Sequence, residues 1–543
     1  MNSQELRRPP AYPVAVDTEL SPPRDSWRAL AWIGLFALIA LAFVCGPTVG
    51  LTWDEPLQLR YGNRILSWYR SGFTNGAALT YAAPLYEYGG LFEAPAQFIA
   101  WLLPFEPTST RHVLTGLCAV LGISAAWKIA ERLGGTRAGF CAAALLALTP
   151  AWWGHGMFNS KDIPFAAAAA WTLYGSIDLL LGPSPARWRN LLLAALATGA
   201  ALGVRAGGMF LLAYPALALA ARAVIERSPI ARQPRRLLLR AAAFVGVAWL
   251  VMLSAWPWAQ LSPIARPLQV AQSITHFAWN GDMLFRGALI NAGNTPSDYL
   301  PTWFAITLPE IYFATWACAL LLACYALARR ERAADTTDRR RLVAYGLIGF
   351  ATFAPLAAAM LLRPVLYDGQ RHFLFLLPPL AAGSGLLLSR FLGASRVPST
   401  LRAGAAVVLI ALAGLTFRDM LSLHPYEYVY FNRLAGGLHG AADRFETDYW
   451  GASYREGLQW VVNHVQPGPG QRLQVASCAC FHETKHFIDD IAHAAASFEV
   501  VRDPAQADIF LLGSRRGCPA GPGRVLHSVE RQGVTLLRVI QRP

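Results

Sequence analysis

The stretch "WRALAWIGLFALIALAFVCGPTVGLTWDEP" (27–56) decides how the rest of the chain is read. Its apolar part is long enough to cross a bilayer, too long and unbroken for a cleaved signal, and is not followed by an A-x-A cleavage site. It reads as a retained first membrane helix that ends, at the interface, on two adjacent carboxylates, Asp54 and Glu55. Apolar runs of the same kind recur near 85–103, 111–130, 137–153, 163–181, 189–204, 206–224, 237–257, 302–327, 342–362, 371–391 and 402–421. With 55% hydrophobic and 15% charged residues among 543, the chain is expected to be an all-α polytopic membrane protein.

The net charge of +14 comes from arginines concentrated in connections between apolar runs, which weakens any nucleic-acid reading. Two connections, 222–240 and 328–341, carry six Arg each and mark the cytoplasmic side. Counting outward from them puts 154–162, 204–208, 258–301, 363–371 and everything after 421 on the far side. Arg24 and Arg28 keep the N-terminus inside, so an odd number of spans is needed. The run 85–103 holds Glu87, Glu93 and Pro95, and each charge costs about 2.5–3.5 kcal/mol at mid-bilayer. It is read as a helix lying along the outer interface. The expected layout is a cytoplasmic tail (1–26), a membrane domain of eleven spans (27–421) with a long external loop (51–110), and an extracytoplasmic domain (422–543), in the inner (plasma) membrane.

This topology gathers the unusual polar residues on one face. "TWDEP" is joined there by Lys161 and Asp162 in "NSKDIPF", by Arg205 in "LGVRAGGMF", and by Arg363, Tyr367, Asp368, Arg371 and His372 in "LRPVLYDGQRHFLFLLPP". Charged residues commonly cap helices at the interface; four such groups on one face suggest a site. A carboxylate there can take a proton from a hydroxyl, while Arg, Lys and His can hold a lipid phosphate and stabilise it as it leaves. Lys161 is one of only three lysines in the chain, which suits a compact charge.

These motifs, as an ordered set over roughly 28–421, resemble the integral-membrane glycosyltransferases of the GT-C fold, in particular the protein O-mannosyltransferases and the lipid A aminoarabinose transferase. The resemblance implies a polyprenyl-phosphate sugar as donor; direct displacement by one activated acceptor hydroxyl would then invert the anomeric centre. By the same resemblance Asp54 is the base, and Glu55 and Asp162 orient base or acceptor. By it Arg371 also holds the donor phosphate; shared placement at the outer face adds His372, Arg205 and Lys161 to that role and puts Tyr367 and Asp368 beside the sugar or acceptor. The family's Pro-Pro element followed by Lys is replaced by "AAPLYEYGG", which keeps Pro84. No cofactor beyond the lipid-linked donor is expected, and no metal is indicated. The acceptor stays open among glycan, lipid and protein. A transporter or flippase is the rival class; such proteins place ionisable residues near the midplane and often show inverted repeats, and no internal repeat is seen here.

The tail reads as a small α/β domain, with strands at "RLQVAS", "FEVV", "ADIFLLG", "RVLHSV" and "VTLLRVI" around a helix near 482–496. The aromatic stretch 424–456 suits either a carbohydrate surface or a connection packed on the membrane domain. "HETKH" (482–486) matches H-E-x-x-H, with His493 as a third candidate ligand, but no extended zincin signature follows, so a solvated helix is the preferred reading. Cys45, Cys118, Cys141, Cys318 and Cys324 lie in apolar runs and read as structural. A disulfide from Cys518 to Cys478 or Cys480 is expected if the tail is extracytoplasmic.

Overall fold

The computed structural model describes residues 25–82, 84–183, 187–226, 234–273, 279, 281–328, 338–468, 470–478, 481–490, 492–515 and 521–543. Within these the chain is mostly helical. Helix α1 (Ser26–Cys45) is followed by α2 (Glu55–Arg70), α3 (Glu93–Leu102), α4 (Pro107–Ala147), α5 (Pro150–Phe158), α6 (Asp162–Leu181), α7 (Trp188–Val204), α8 (Ala213–Ile225) and α9 (Pro234–Leu253). Two short helices, α10 (Pro257–Gln260) and α11 (Ala265–Ser273), precede a hairpin of β1 (Asp282–Phe285) and β2 (Ala288–Asn291). Then come α12 (Tyr299–Thr307), α13 (Glu310–Ala328), α14 (Arg339–Leu362), α15 (Leu377–Gly393) and α16 (Ser399–Leu423).

Among the described residues seven helices are long and apolar enough to cross a membrane, or eight if the bent pair α12 and α13 forms one span. Two shorter apolar helices, Trp188–Val204 and Leu238–Leu253, accompany them. The run 302–327 reads from sequence as one straight span, but it bends by 95°. Pro309 explains this: it offers no N–H to continue the ladder, and it holds Leu308 extended (φ −72°, ψ 133°).

Helix α4 has 41 residues and would be about 60 Å long if straight, twice the roughly 30 Å of a bilayer core. It breaks at Gly135 (φ 80°, ψ −179°), a conformation essentially reserved for glycine. A Cβ on Gly139 would meet the Trp127 indole and Glu131 Cβ, so the second arm folds back along the first. The two arms correspond to the runs 111–130 and 137–153. The run 85–103 keeps only ten helical residues in α3, about 15 Å, with Glu93 and Gln97 buried and Phe98, Trp101 and Leu102 exposed.

The Arg-rich connections meet one another: Arg222 and Arg340 both reach Glu226 Oε1, at 2.8 and 2.9 Å. At the opposite helix ends lies the tail. Its stretch 424–456 is a buried connection, with Tyr426, Tyr428, Tyr430, Phe431, Phe445, Tyr449 and Trp450 all inside. It includes α17 (Gly437–Ala441) and leads through α18 (Tyr454–His464) into a five-stranded sheet. That sheet is ordered β4–β3–β5–β7–β6, with β3 (Leu473–Ser477) parallel to β4 (Phe498–Val500) and β5 (Ile509–Gly513). Strand β7 (Val534–Gln541) pairs antiparallel with β5 and with β6 (Arg524–Arg531).

Helix α19 (Phe481–Asp490), which carries "HETKH", is followed by α20 (Ala492–Ser497). Instead of being solvated, α19 packs on the sheet and on α2, with Glu483 and Thr484 buried and Thr484 donating to Ser477 Oγ at 2.7 Å. The reason is its amphipathic pattern, which gives it an inward face. Among the described residues no group of three or more His, Cys, Asp and Glu could hold a metal; the side chain of His493 lies outside those described. Cys478 is disulfide-bonded, whereas Cys45, Cys118, Cys141, Cys318 and Cys324 are free. Cys480 and Cys518 lie outside the described residues.

Gly135→Ala should lower stability by about 1–3 kcal/mol even though open space surrounds a Cβ there, because the cost is conformational. Thermal unfolding in detergent measures it, and an unchanged midpoint would mean that the helix break does not need glycine.

Candidate active site

The site is built from helix ends that meet at one end of the bundle. At the start of α2, Glu55 is buried and accepts hydrogen bonds from the Thr52 N–H at 2.7 Å and the Thr52 hydroxyl at 3.0 Å. Its other oxygen lies 2.6 Å from His112 Nε2. His112 Nδ1 faces the Gly46 carbonyl at 3.0 Å, an acceptor only, so Nδ1 carries a hydrogen. This chain of contacts fixes the end of α1, the "TWDE" turn and α4 to one another. Beside it Ser160 donates to Glu93 Oε1 at 2.7 Å, and Glu93 pairs with Arg111.

Asp54 differs from its neighbour. It is partly exposed and held by its backbone, whose carbonyl accepts from the Gln58 N–H at 3.1 Å; its carboxylate makes no capping bond to α2 and no hydrogen bond or ion pair among the described residues. Its charge nevertheless acts on Asp368 and Arg371. A carboxylate that is held in place by its backbone while both its oxygens stay open is the arrangement a proton acceptor needs.

Behind Asp54 lies an ion-pair network. Arg371, at the head of α15's span, reaches Asp368 Oδ2 through Nε at 3.0 Å and Nη2 at 2.9 Å, and Asp162 Oδ2 through Nη1 at 3.6 Å. Asp162, the first residue of α6, is also paired with Arg205 and accepts from Asn159 Nδ2 at 2.9 Å. Arg371 packs over the rings of Tyr367 and Trp450, with centroids 5.0 and 4.6 Å away. Lys161 Nζ lies 4.8 Å from the Tyr88 ring centroid, and Arg205 covers the same ring. Tyr88 is held by a close backbone crossing. Gly90 N–H donates to Ala255 O at 3.0 Å and Leu91 N–H to Gly203 O at 3.1 Å; a Cβ on Gly89 would lie 1.9 Å from Gly203 O. The "YGG" of the loop is therefore needed to dock it on α7 and α9.

The nine residues expected from sequence thus occupy one region, but in different roles. Lys161, Asp162, Arg205, Tyr367, Asp368, Arg371 and His372 form the network or border it, and Asp54 faces it. Glu55 points into the protein instead. Arg371 is occupied by two carboxylates. Residues that sequence reasoning missed are His112, Tyr88, Trp279, Glu446 and Arg515; no local pattern marks them, although Glu87, beside Tyr88, stood out as a charge in an apolar run.

Next to the network is a cavity of about 550 Å³, whose lining includes Pro84, Tyr88, Arg205, Tyr367 and His372 at one end and Tyr214, Phe210, Phe350 and Leu362 along its walls. Phe210, Phe350 and Leu362 are 39%, 42% and 71% exposed, so the cavity reaches the apolar outer surface of the bundle between α8 and α14. It joins a greasy channel to a cationic head.

On the far side of Asp368, burial pushes Glu446 up to about 8 against the lowering charge of Arg515. Burial also raises Asp368, partly offset by Arg371 and Arg515. A carboxyl raised in the fold contributes stability that is complete below its unfolded value near 4.5 and is lost as pH climbs through about 8. The thermal midpoint should accordingly fall between pH 5 and pH 9, and Glu446→Gln should flatten the decline. An equal decline in the variant would place the titration elsewhere.

Residues 102–258 match the family model described as dolichyl-phosphate-mannose-protein mannosyltransferase, and no curated protein matches the chain. Among solved structures, the chain is similar to ArnT from Cupriavidus metallidurans in the apo state, at 17% identity over 94% of this chain and 98% of that one, with a TM-score of 0.49. The same protein bound to undecaprenyl phosphate gives 16%, 95% and 98%, with 0.47. The Archaeoglobus fulgidus oligosaccharyltransferase in the apo form gives 14%, 89% and 65%, with 0.49. Residues 102–258 of this chain thus resemble the mannosyltransferases that this family model describes.

Proposed function

We propose that this protein is a glycosyltransferase that moves a sugar from a polyprenyl-phosphate donor to an acceptor hydroxyl at the extracytoplasmic face of the membrane. The observation that carries the reading is the cavity: an apolar channel open toward the lipid side ends at Arg205 and His372, at the edge of the ion-pair network on whose Arg371 the charge of Asp54 acts. The lipid chain lies in the channel and its phosphate at the cationic end. The polar end of the cavity carries Arg205, His372 and the carboxylate of Glu87, and Lys161 stands with Arg205 over Tyr88 beside it.

In this reading Arg205 and Lys161, whose guanidinium and ammonium both stand over Tyr88, hold the phosphate directly, with His372 next to them. Arg371 adds its charge through Asp162 and Asp368 and keeps both carboxylates in place. Tyr367 borders the sugar. Asp54 accepts the proton of the attacking hydroxyl; the new bond forms at the anomeric carbon as the bond to the phosphate oxygen breaks, and a single displacement inverts that centre. Glu55, locked by Thr52 and His112, fixes the turn that aims Asp54. The acceptor class, whether glycan, lipid or protein, is set outside this cluster. The extracytoplasmic orientation is supported by the Arg-rich connections at the opposite helix ends and by the disulfide at Cys478.

The test is release of undecaprenyl phosphate from a panel of undecaprenyl-phosphate sugars (mannose, glucose and aminoarabinose) by the purified protein supplied with cell-envelope extract. Asp54→Asn should cut turnover by about 10²- to 10⁴-fold with donor binding intact. Arg205→Ala should weaken donor binding by roughly 10- to 150-fold, the loss of one charge-assisted phosphate contact. A wild-type protein inert toward the whole panel, or an Asp54→Asn variant with near normal turnover, would overturn the assignment.

A further inference from the structure

The C-terminal domain sends one side chain into this site. Arg515 follows β5, and the preceding Ser514 is anchored where Thr447 donates to its Oγ at 2.9 Å and the Asp448 N–H at 3.2 Å. From there the guanidinium runs inward. Nη1 lies 3.5 Å from Asp368 Oδ1 and donates to the Tyr449 carbonyl at 3.2 Å, and Nε is 3.9 Å from Glu446 Oε1. The guanidinium stands between the rings of Trp53 and Trp279, at 4.5 and 5.3 Å. Trp279 in turn stacks on Tyr367 at 4.4 Å and 24°, and Trp53 is the residue before Asp54. A continuous stack of Tyr367, Trp279, Arg515 and Trp53 therefore leads from the donor cavity to the residue next to the proposed base.

The simplest alternative is that Arg515 is a staple between domains. Docking has other sources, however. Arg455 donates to Val49 O at 2.6 Å, the Trp53 N–H donates to Trp450 O at 3.3 Å, and Gly50 lies so close to Ala452 O that a Cβ would overlap it. What Arg515 adds is a second positive charge beside Arg371, brought from the C-terminal domain to Asp368 and Glu446.

We propose that Arg515 is a positioning residue of the transfer site, reaching in from the C-terminal domain to fix Asp368 and to balance the charge of the Asp54 and Asp368 pair. The inference rests on the proposed sugar transfer for its kinetic consequence only. Two nearby carboxylates repel, so without a cation one of them tends to hold a proton and a base is lost. Asp368 is faced by Arg371 and Tyr367 from its own segment, Arg515 from the C-terminal domain and Asp54 from the start of α2. Glu446 and Tyr449 face it from the connecting stretch, and Tyr299 from α12. Among these groups Arg515 and Arg371 are the two cations, and Arg371 is shared with Asp162.

The experiment uses the full chain in detergent with Arg515→Met and Arg515→Lys, and Arg515→Gln in place of Met if that variant does not fold. Dicyclohexylcarbodiimide, which modifies carboxyls in their protonated form, is applied from pH 5 to pH 9, and labelling of Asp54 and Asp368 is followed by mass spectrometry. Arg515→Met should move the labelling midpoint up by about one pH unit, a tenfold change in proton affinity, and Arg515→Lys should stay nearer to wild type. With the panel sugar that the wild type turns over, kcat of Arg515→Met should fall about tenfold on the acid side of the profile and recover at higher pH, with donor KM unchanged. A midpoint that stays put, or Met and Lys variants that behave alike, overturns the role of Arg515. A wild type that transfers no sugar overturns the functional reading instead, and the labelling still decides for Arg515.

Discussion

Arg371 between Asp162 and Asp368 is the interaction on which the rest of the site depends. A guanidinium that is 5% exposed in an apolar bundle is tolerated only if its charge and its donors are met, and removing one partner of such a pair typically costs about 3–5 kcal/mol. Satisfying Arg371 brings together the first residue of α6 and the turn before α15. Satisfying Asp162 then brings in Arg205 from the end of α7, and satisfying Asp368 brings in Arg515 from the C-terminal domain. The network is closed in the sense that each buried charge recruits the next segment of chain.

Asp54 stands outside this closure, and that gives it chemical meaning. Its neighbour Glu55 takes up every structural duty of the turn, binding Thr52 and His112, so that Asp54 is held by backbone alone. Two carboxylates one residue apart are separated in function by the direction each faces, because the first turn of a helix sends successive side chains to different sides. The apolar cavity ends at the same network, and its greasy walls and cationic end follow from one fact: the helix ends carry charge while their flanks face lipid.

How much of this was legible in the chain can be judged residue by residue. Asp54, Asp162, Arg205, Asp368 and Arg371 could be picked out because a charge inside or beside an apolar run is costly and so stands out. The strands of the tail were legible from their alternation, and the helix break near 131–136 from the gap between two apolar runs. The bend at Pro309 was not read, although the proline was visible, because the composition on both sides is uniformly apolar. His112 and Arg111 were hidden as ordinary members of a long helix, and Arg515 sits in a polar loop where an arginine is unremarkable.

The sequence by itself determined that this is a polytopic, mostly helical protein with a small α/β domain and a collection of charges at one face. Period and hydropathy are local properties, and they survive without knowledge of neighbours. Only the tertiary structure decided which of those charges pair with one another, that Glu55 turns inward while Asp54 stays open, and that Arg515 of the C-terminal domain reaches Asp368 and the ring of Trp53. Pairing depends on distances between segments hundreds of residues apart, and those distances are fixed by how the helices pack and where the C-terminal domain docks.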